Sequence, residues 1–130
     1  MRKLILRWLQ ADRFFKSLAG LATLVVLYLS LKPPSPDGEI WYFIFIRGDL
    51  ILHFICYFGL SILYFFAFFQ SKNCVKKALI LSFSIGFLLE FLQLVPLFNR
   101  FFDYQDLTAN FLGVCGGIFT IRLLFLDSVK

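Results

Sequence analysis

The chain is short of charge. Of its 130 residues 13 are basic and 8 acidic, 16% in all, where a soluble domain carries about 25%. With 60% of the residues hydrophobic and 20% aromatic, a water-facing domain and a disordered chain are both excluded. Cysteine is scarce as well. Cys56, Cys74 and Cys115 lie without metal-ligand spacing, two of them inside apolar runs, which excludes a disulfide scaffold and assigns these thiols no chemistry. Also missing are a recognised nucleophile motif, a cofactor fingerprint, internal repeats and low-complexity tracts. The net charge of +5 does not form a stripe that nucleic acid would need, because the basic residues flank apolar runs as topology signals.

What the chain does have is long apolar runs. At about 20 residues per crossing, the sequence accommodates four transmembrane helices and no separate soluble domain. The expected fold is an all-α polytopic membrane protein, one domain over residues 1–130, with helices at about 14–31, 50–69, 78–97 and 108–126. The first follows a basic segment with Arg2, Lys3, Arg7, Arg13 and Lys16, and no small-residue cleavage site follows it, so it reads as a retained helix. Pro33, Pro34 and Pro36 end it, and Asp37-Gly38 supplies a turn. Residues 40–46, with Trp41 and Tyr42, are too few to cross and suit an interfacial or re-entrant segment.

Lys and Arg in alternate loops set the orientation. The N-terminal segment, the loop with Lys72, Lys76 and Lys77, and the far end with Arg122 and Lys130 hold ten, against Lys32, Arg47 and Arg100 on the other side. Both termini are thereby expected in the cytoplasm.

In that topology several polar residues share one layer at the outer face. Asp49, His53 and Tyr57 follow one helix face at four-residue steps. Glu90 and Gln93 approach the same level from the third helix; Arg100, Asp103, Asp106 and Asn110 lead into the fourth. Glu90 lies seven residues before Leu97, a depth of about 10 Å at 1.5 Å per residue. A carboxylate there costs a few kcal/mol and persists where it faces protein, pairs or works. Ser82 and Gly86 precede it at four-residue steps, and Gly113 and Gly117 form a second small-residue seam, both read as helix packing.

Plainer readings compete for single residues. Asp49, and Asp103 or Asp106, each precede an apolar run and suit helix capping. His53 alone suits a polar residue among headgroups. Lys32, Arg47 and Arg122 read as side chains snorkelling to lipid phosphate. Arg47-Gly48-Asp49 spells an adhesion tripeptide, a three-residue match set aside because Asp49 starts a helix. Capping explains neither Glu90 and His53 within helices nor their shared level with Gln93, Arg100 and Asn110, so a clustered polar site is the expectation.

These residues resemble the VanZ-like family of small bacterial membrane proteins over most of the chain. Leu29-Ser30-Leu31-Lys32-Pro33 resembles the family's exit from its first helix. Asp49, His53, Phe54 and Tyr57 match its second pattern, with Leu50 where the family usually has Lys. Glu90 and Gln93 match its Glu-x-x-Gln element, and Arg100, Asp103, Asp106, Asn110 and Gly113 its final run, after a gap slightly longer than usual. The resemblance implies a multi-pass protein of the bacterial cytoplasmic membrane, related to one associated with glycopeptide (teicoplanin) resistance. It supplies no reaction.

The favoured expectation is recognition of a lipid or cell-envelope precursor headgroup, with Asp49, Tyr57, Gln93, Arg100, Asp103 and Asn110 as binding residues. The alternative is acid–base catalysis on a lipid-linked envelope substrate by Glu90, His53 and Asp106. Proton or ion transport ranks last, because no relay reaches the cytoplasmic side. The bilayer is the expected partner and no cofactor is expected. A weakly held divalent cation on His53 with Asp49, Glu90 or Asp106 is the one metal these residues suit.

Overall fold

The computed structural model describes residues 12–33 and 40–125. The expectations for Arg2, Lys3 and Arg7, for Pro34 to Gly38, and for the chain end with Lys130 lie outside the described residues. Four long helices carry the architecture: α1 (Asp12–Leu31), α2 (Gly48–Ala67), α3 (Cys74–Leu92) and α4 (Tyr104–Phe125). Two-residue strands β1 (Tyr42–Phe43) and β2 (Ile46–Arg47) lie between α1 and α2, and a 3-10 turn at Pro96–Phe98 follows α3.

Three of the helices, within Arg13–Leu31, Gly48–Ala67 and Tyr104–Phe125, are long and apolar enough to cross a membrane. The third helix carries Lys76 and Lys77 in its first turn and Glu90 near its end, so its charge-free run is shorter. Large apolar side chains such as Leu24, Leu88 and Leu123 point outward. In water they would be a liability; against acyl chains they are the expected outer surface of an all-α membrane protein.

The segment after α1 is a tight antiparallel hairpin, with Tyr42 opposite Arg47 and Phe43 opposite Ile46. Its turn places Ile44 at φ 61°, a costly conformation for a β-branched residue. Ile44 and Phe45 at the tip are exposed. The Gly48 N–H donates to the Trp41 carbonyl at 2.9 Å, and a Cβ on Gly48 would overlap the Trp41 indole. Glycine at 48 therefore lets the hairpin run directly into α2.

Three helix boundaries differ from the sequence expectation. Helix α3 ends at Leu92 instead of reaching Leu97, because Pro96 lacks an N–H and forces Val95 into an extended conformation at φ −70°, ψ 122°. It begins at Cys74, so Lys76 and Lys77 sit in its first turn, not in the loop. Helix α4 begins at Tyr104, before residue 108, because Asp103 Oδ1 accepts the Gln105 N–H at 2.8 Å and nucleates the turn.

The core lies between α2 and its neighbours. Tyr57, Leu60 and Phe65 of α2 and Val114 and Ile121 of α4 are fully buried, and Leu89 of α3 is buried beside them. Helix α4 approaches α2 at backbone distance: a Cβ on Gly113 would run into the Phe54 carbonyl, and one on Gly117 would lie 2.7 Å from the Phe58 carbonyl. Gly86 of α3 leaves room for the Tyr57 ring, 3.0 Å from where a Cβ would stand. Small residues replace the missing hydrophobic drive between helices by allowing close van der Waals contact. Thr23 of α1 and the Tyr64 hydroxyl share a 2.6 Å hydrogen bond that ties α1 to α2.

Candidate functional site

The helix directions bring the C-terminal ends of α1 and α3 together with the N-terminal ends of α2 and α4. The polar residues of the sequence meet at this end. Gln93 caps α3 and donates its amide to the Ser30 carbonyl of α1 at 3.0 Å, with the Gln93 side chain 1% exposed. It thus fastens α1 to α3 and is not among the residues lining the adjacent cavity.

Arg47, on β2, is the hub of the outer part of the site. Its guanidinium pairs with Asp49, with Asp103 at 2.9 Å and with Gln105 Oε1 at 3.0 Å, and stands 3.8 Å from Asp106. The hydrogen bonds that Arg47 donates to Asp49 and then to Asp103 raise its pKa above the ordinary value. This corrects the reading of Arg47 as a snorkelling side chain. Asp49 is not a simple cap either: it sits inside the first turn, bonded to Arg47 and accepting the Leu50 N–H at 2.9 Å.

Deeper lies a second group. His53 Nδ1 is 2.8 Å from Asn110 Oδ1, and Asn110 Nδ2 donates to Glu90 Oε1 at 3.4 Å. His53 Nε2 faces Asp106 Oδ2 at 3.5 Å. One asparagine on α4 thereby links a histidine on α2 to a carboxylate on α3. Glu90 is 1% and Asn110 3% exposed, so their expected depth corresponds to burial inside protein. His53, Glu90 and Asp106 each present a donor atom within 4.8 Å of the other two.

A half-open cavity of about 180 Å³ adjoins this group. Its polar lining is Ser30, Asp49, His53, Tyr57, Arg100 and Asp106; Val26, Leu29 and Leu52 are its main apolar lining. Arg100 donates to the Leu29 carbonyl at 3.2 Å, while its Nε and the Tyr57 hydroxyl are buried without a hydrogen-bond partner among the described residues. A cation, a phenol and apolar walls in one small recess suit an amphiphile with a phosphate or carboxylate. A larger groove of about 570 Å³ between α2 and α4 has no charged lining and resembles acyl-chain surface.

Sequence reasoning did not place Arg47, Gln105 or Ser30 in the site. For Arg47 a signal existed, since it precedes Asp49 by two residues and shares the chain with the Asp103–Asp106 pair. Ser30 enters through its position at the end of α1, which only packing reveals.

No curated protein and no solved structure matches the chain. The family model described as VanZ/LLP1 matches residues 13–125, which takes in α2, α3 and α4 and every residue of the site just described. Four long helices with their polar residues gathered at one end of the bundle accord with that match, and the chain belongs to the VanZ/LLP1 family.

Proposed function

We propose that this VanZ-like membrane protein recognises the headgroup of a lipid or a lipid-linked cell-envelope precursor at the outer leaflet of the bacterial cytoplasmic membrane, with both termini cytoplasmic. Its cellular role in this reading lies in the envelope, including the response to teicoplanin-type glycopeptides. One observation carries the reading: a half-open recess between apolar helix surfaces in which Arg100 and Tyr57 hold buried polar atoms without partners among the described residues. Buried donors left unpaired are costly, and a ligand oxygen relieves that cost. The pairing of Asp49 and Asp103 with Arg47 supports it, because it shields an anionic headgroup from two of the carboxylates. The described basic residues Arg13, Lys16, Lys72, Lys76 and Lys77, at the opposite end of the bundle, support the orientation.

The test is thermal unfolding of the purified protein in detergent with added phosphatidate, phosphatidylglycerol, diacylglycerol or a polyprenyl phosphate. A phosphate-bearing lipid is expected to raise the unfolding temperature, and Arg100→Gln to remove most of the rise. Equal shifts with diacylglycerol, or an undiminished shift in Arg100→Gln, would contradict the reading.

A second reading, acid–base chemistry on the same headgroup, draws on the His53–Asp106 pair, both of which line the cavity. Incubation of the protein with the stabilising lipid distinguishes the two. Binding leaves the lipid intact, whereas catalysis yields a product that disappears in His53→Ala.

A further inference from the structure

Arg47 neutralises Asp49 and Asp103 directly and stands 3.8 Å from Asp106; His53 and Asp106 line the recess, with Glu90 buried beside them. Their hydrogen bonds assign their free atoms. Glu90 Oε1 is an acceptor, so it faces the Asn110 Nδ2 donor, and the Asn110 oxygen therefore faces His53 Nδ1. An amide oxygen only accepts, so Nδ1 carries the hydrogen, which leaves Nε2 as the nitrogen through which the ring can ligate. Its lone pair faces an oxygen of Asp106, a second acceptor, at 3.5 Å.

An Nε2 lone pair and a carboxylate oxygen facing one another leave a place for a cation between them. Glu90 Oε2 is likewise buried without a hydrogen-bond partner among the described residues, and so is Asp106 Oδ1, whose one cationic neighbour there is Arg47 at 3.8 Å. Glu90 as a whole is 1% exposed. The three residues offer donor atoms within 4.8 Å of one another, so an ion with bonds of about 2.1 Å, whose trans ligands stand about 4.2 Å apart, need draw them in only slightly. Asn110 completes the pattern of a metal site, since it orients the ring through Nδ1 and one carboxylate through Oε1 while touching neither free atom.

We propose that His53 Nε2, Glu90 and Asp106 hold one divalent cation of the Mg²⁺ or Mn²⁺ class, whose open coordination positions take a phosphate oxygen of the ligand in the recess. Two carboxylates and a single imidazole favour these ions over the softer metals. His53 and Asp106 line the cavity, so the open side of the ion faces the same space as Arg100. The cation removes the remaining repulsion between the acidic wall and a phosphate. The phosphate half of this inference rests on the headgroup reading; the ion half does not.

The experiment uses the untagged full chain, stripped with chelator in detergent, and Mn²⁺ as the probe. The chain has one histidine, so pulsed electron paramagnetic resonance of bound Mn²⁺ on chain labelled with ¹⁵N-histidine reads His53 alone. The expected result is one Mn²⁺ per chain with a ¹⁵N coupling, and about ten-fold or greater weakening in Glu90→Gln and in Asp106→Asn. No binding at ~1 mM Mn²⁺, the weak end of protein cation sites, would overturn the ion, as would binding without the nitrogen coupling. The wild-type spectrum decides this even where a variant fails to fold.

A second arm repeats the lipid unfolding series with Mn²⁺ or with chelator. Phosphate-lipid stabilisation that requires Mn²⁺ supports the coupled site. Stabilisation that persists unchanged in chelator overturns the ion's role while leaving the headgroup reading intact; bound Mn²⁺ with no lipid effect overturns the phosphate half.

Discussion

Arg47 and Asp103, 56 residues apart in sequence, meet in a 2.9 Å ion pair that joins the strand before α2 to the cap of α4. The pair fixes the angle at which two helix N-termini face each other. Each of its side chains is about one-third exposed, at 31%, placing it between the surface and buried regimes of ion pairing.

Replacing Arg47 with Met leaves Asp49, Asp103 and Asp106 facing one another. A loss of about 1–3 kcal/mol is expected, between the values for exposed and buried pairs. Asp103→Asn is expected to cost less, since Asp49 remains on Arg47. Unfolding in mixed micelles checks this, and equal stability of Arg47→Met and wild type would contradict the role of Arg47 as the hub.

The glycines divide into two classes by what a side chain would meet. Gly113→Ala and Gly117→Ala are expected to destabilise by about 1–3 kcal/mol through overpacking, because a Cβ would meet backbone atoms of α2 and, at Gly117, the Ser61 hydroxyl as well. Gly20 and Gly59 have open space at the same position. Gly20→Ala and Gly59→Ala are expected to be neutral or to gain up to about 1 kcal/mol from helix propensity. The same unfolding assay on the four variants should show opposite signs for the two pairs.

Gln93→Leu removes the donor to the Ser30 carbonyl and leaves that carbonyl buried. A cost of about 1–2 kcal/mol is expected, concentrated on the end of α1. Hydrogen exchange around Leu29 to Leu31 is expected to accelerate while α2 and α4 keep their protection.

The sequence showed the helices and the polar layer because both follow from spacing and from the cost of charge in hydrocarbon. Asp49, His53 and Tyr57 at four-residue steps declare a shared face, and all three line the recess. Glu90 declares itself by its depth. The stop at Leu92 was hidden because the apolar run continues through Val95, and only Pro96 breaks it. Arg47 was hidden for another reason: an arginine beside an apolar run has the same local pattern whether it reaches lipid phosphate or a distant carboxylate. The choice was made by Asp103, whose approach is a property of tertiary packing. Which nitrogen of His53 faces which partner likewise depends on Asn110, on another helix.

The central claim is that α2, α3 and α4 share one polar network through Asn110. It is tested most directly by a double-mutant cycle between His53 and Glu90, which share Asn110 as a partner. Unfolding of His53→Ala, Glu90→Ala and the double variant is expected to give a coupling of about 0.5–3 kcal/mol. Strict additivity of the two changes would contradict the account.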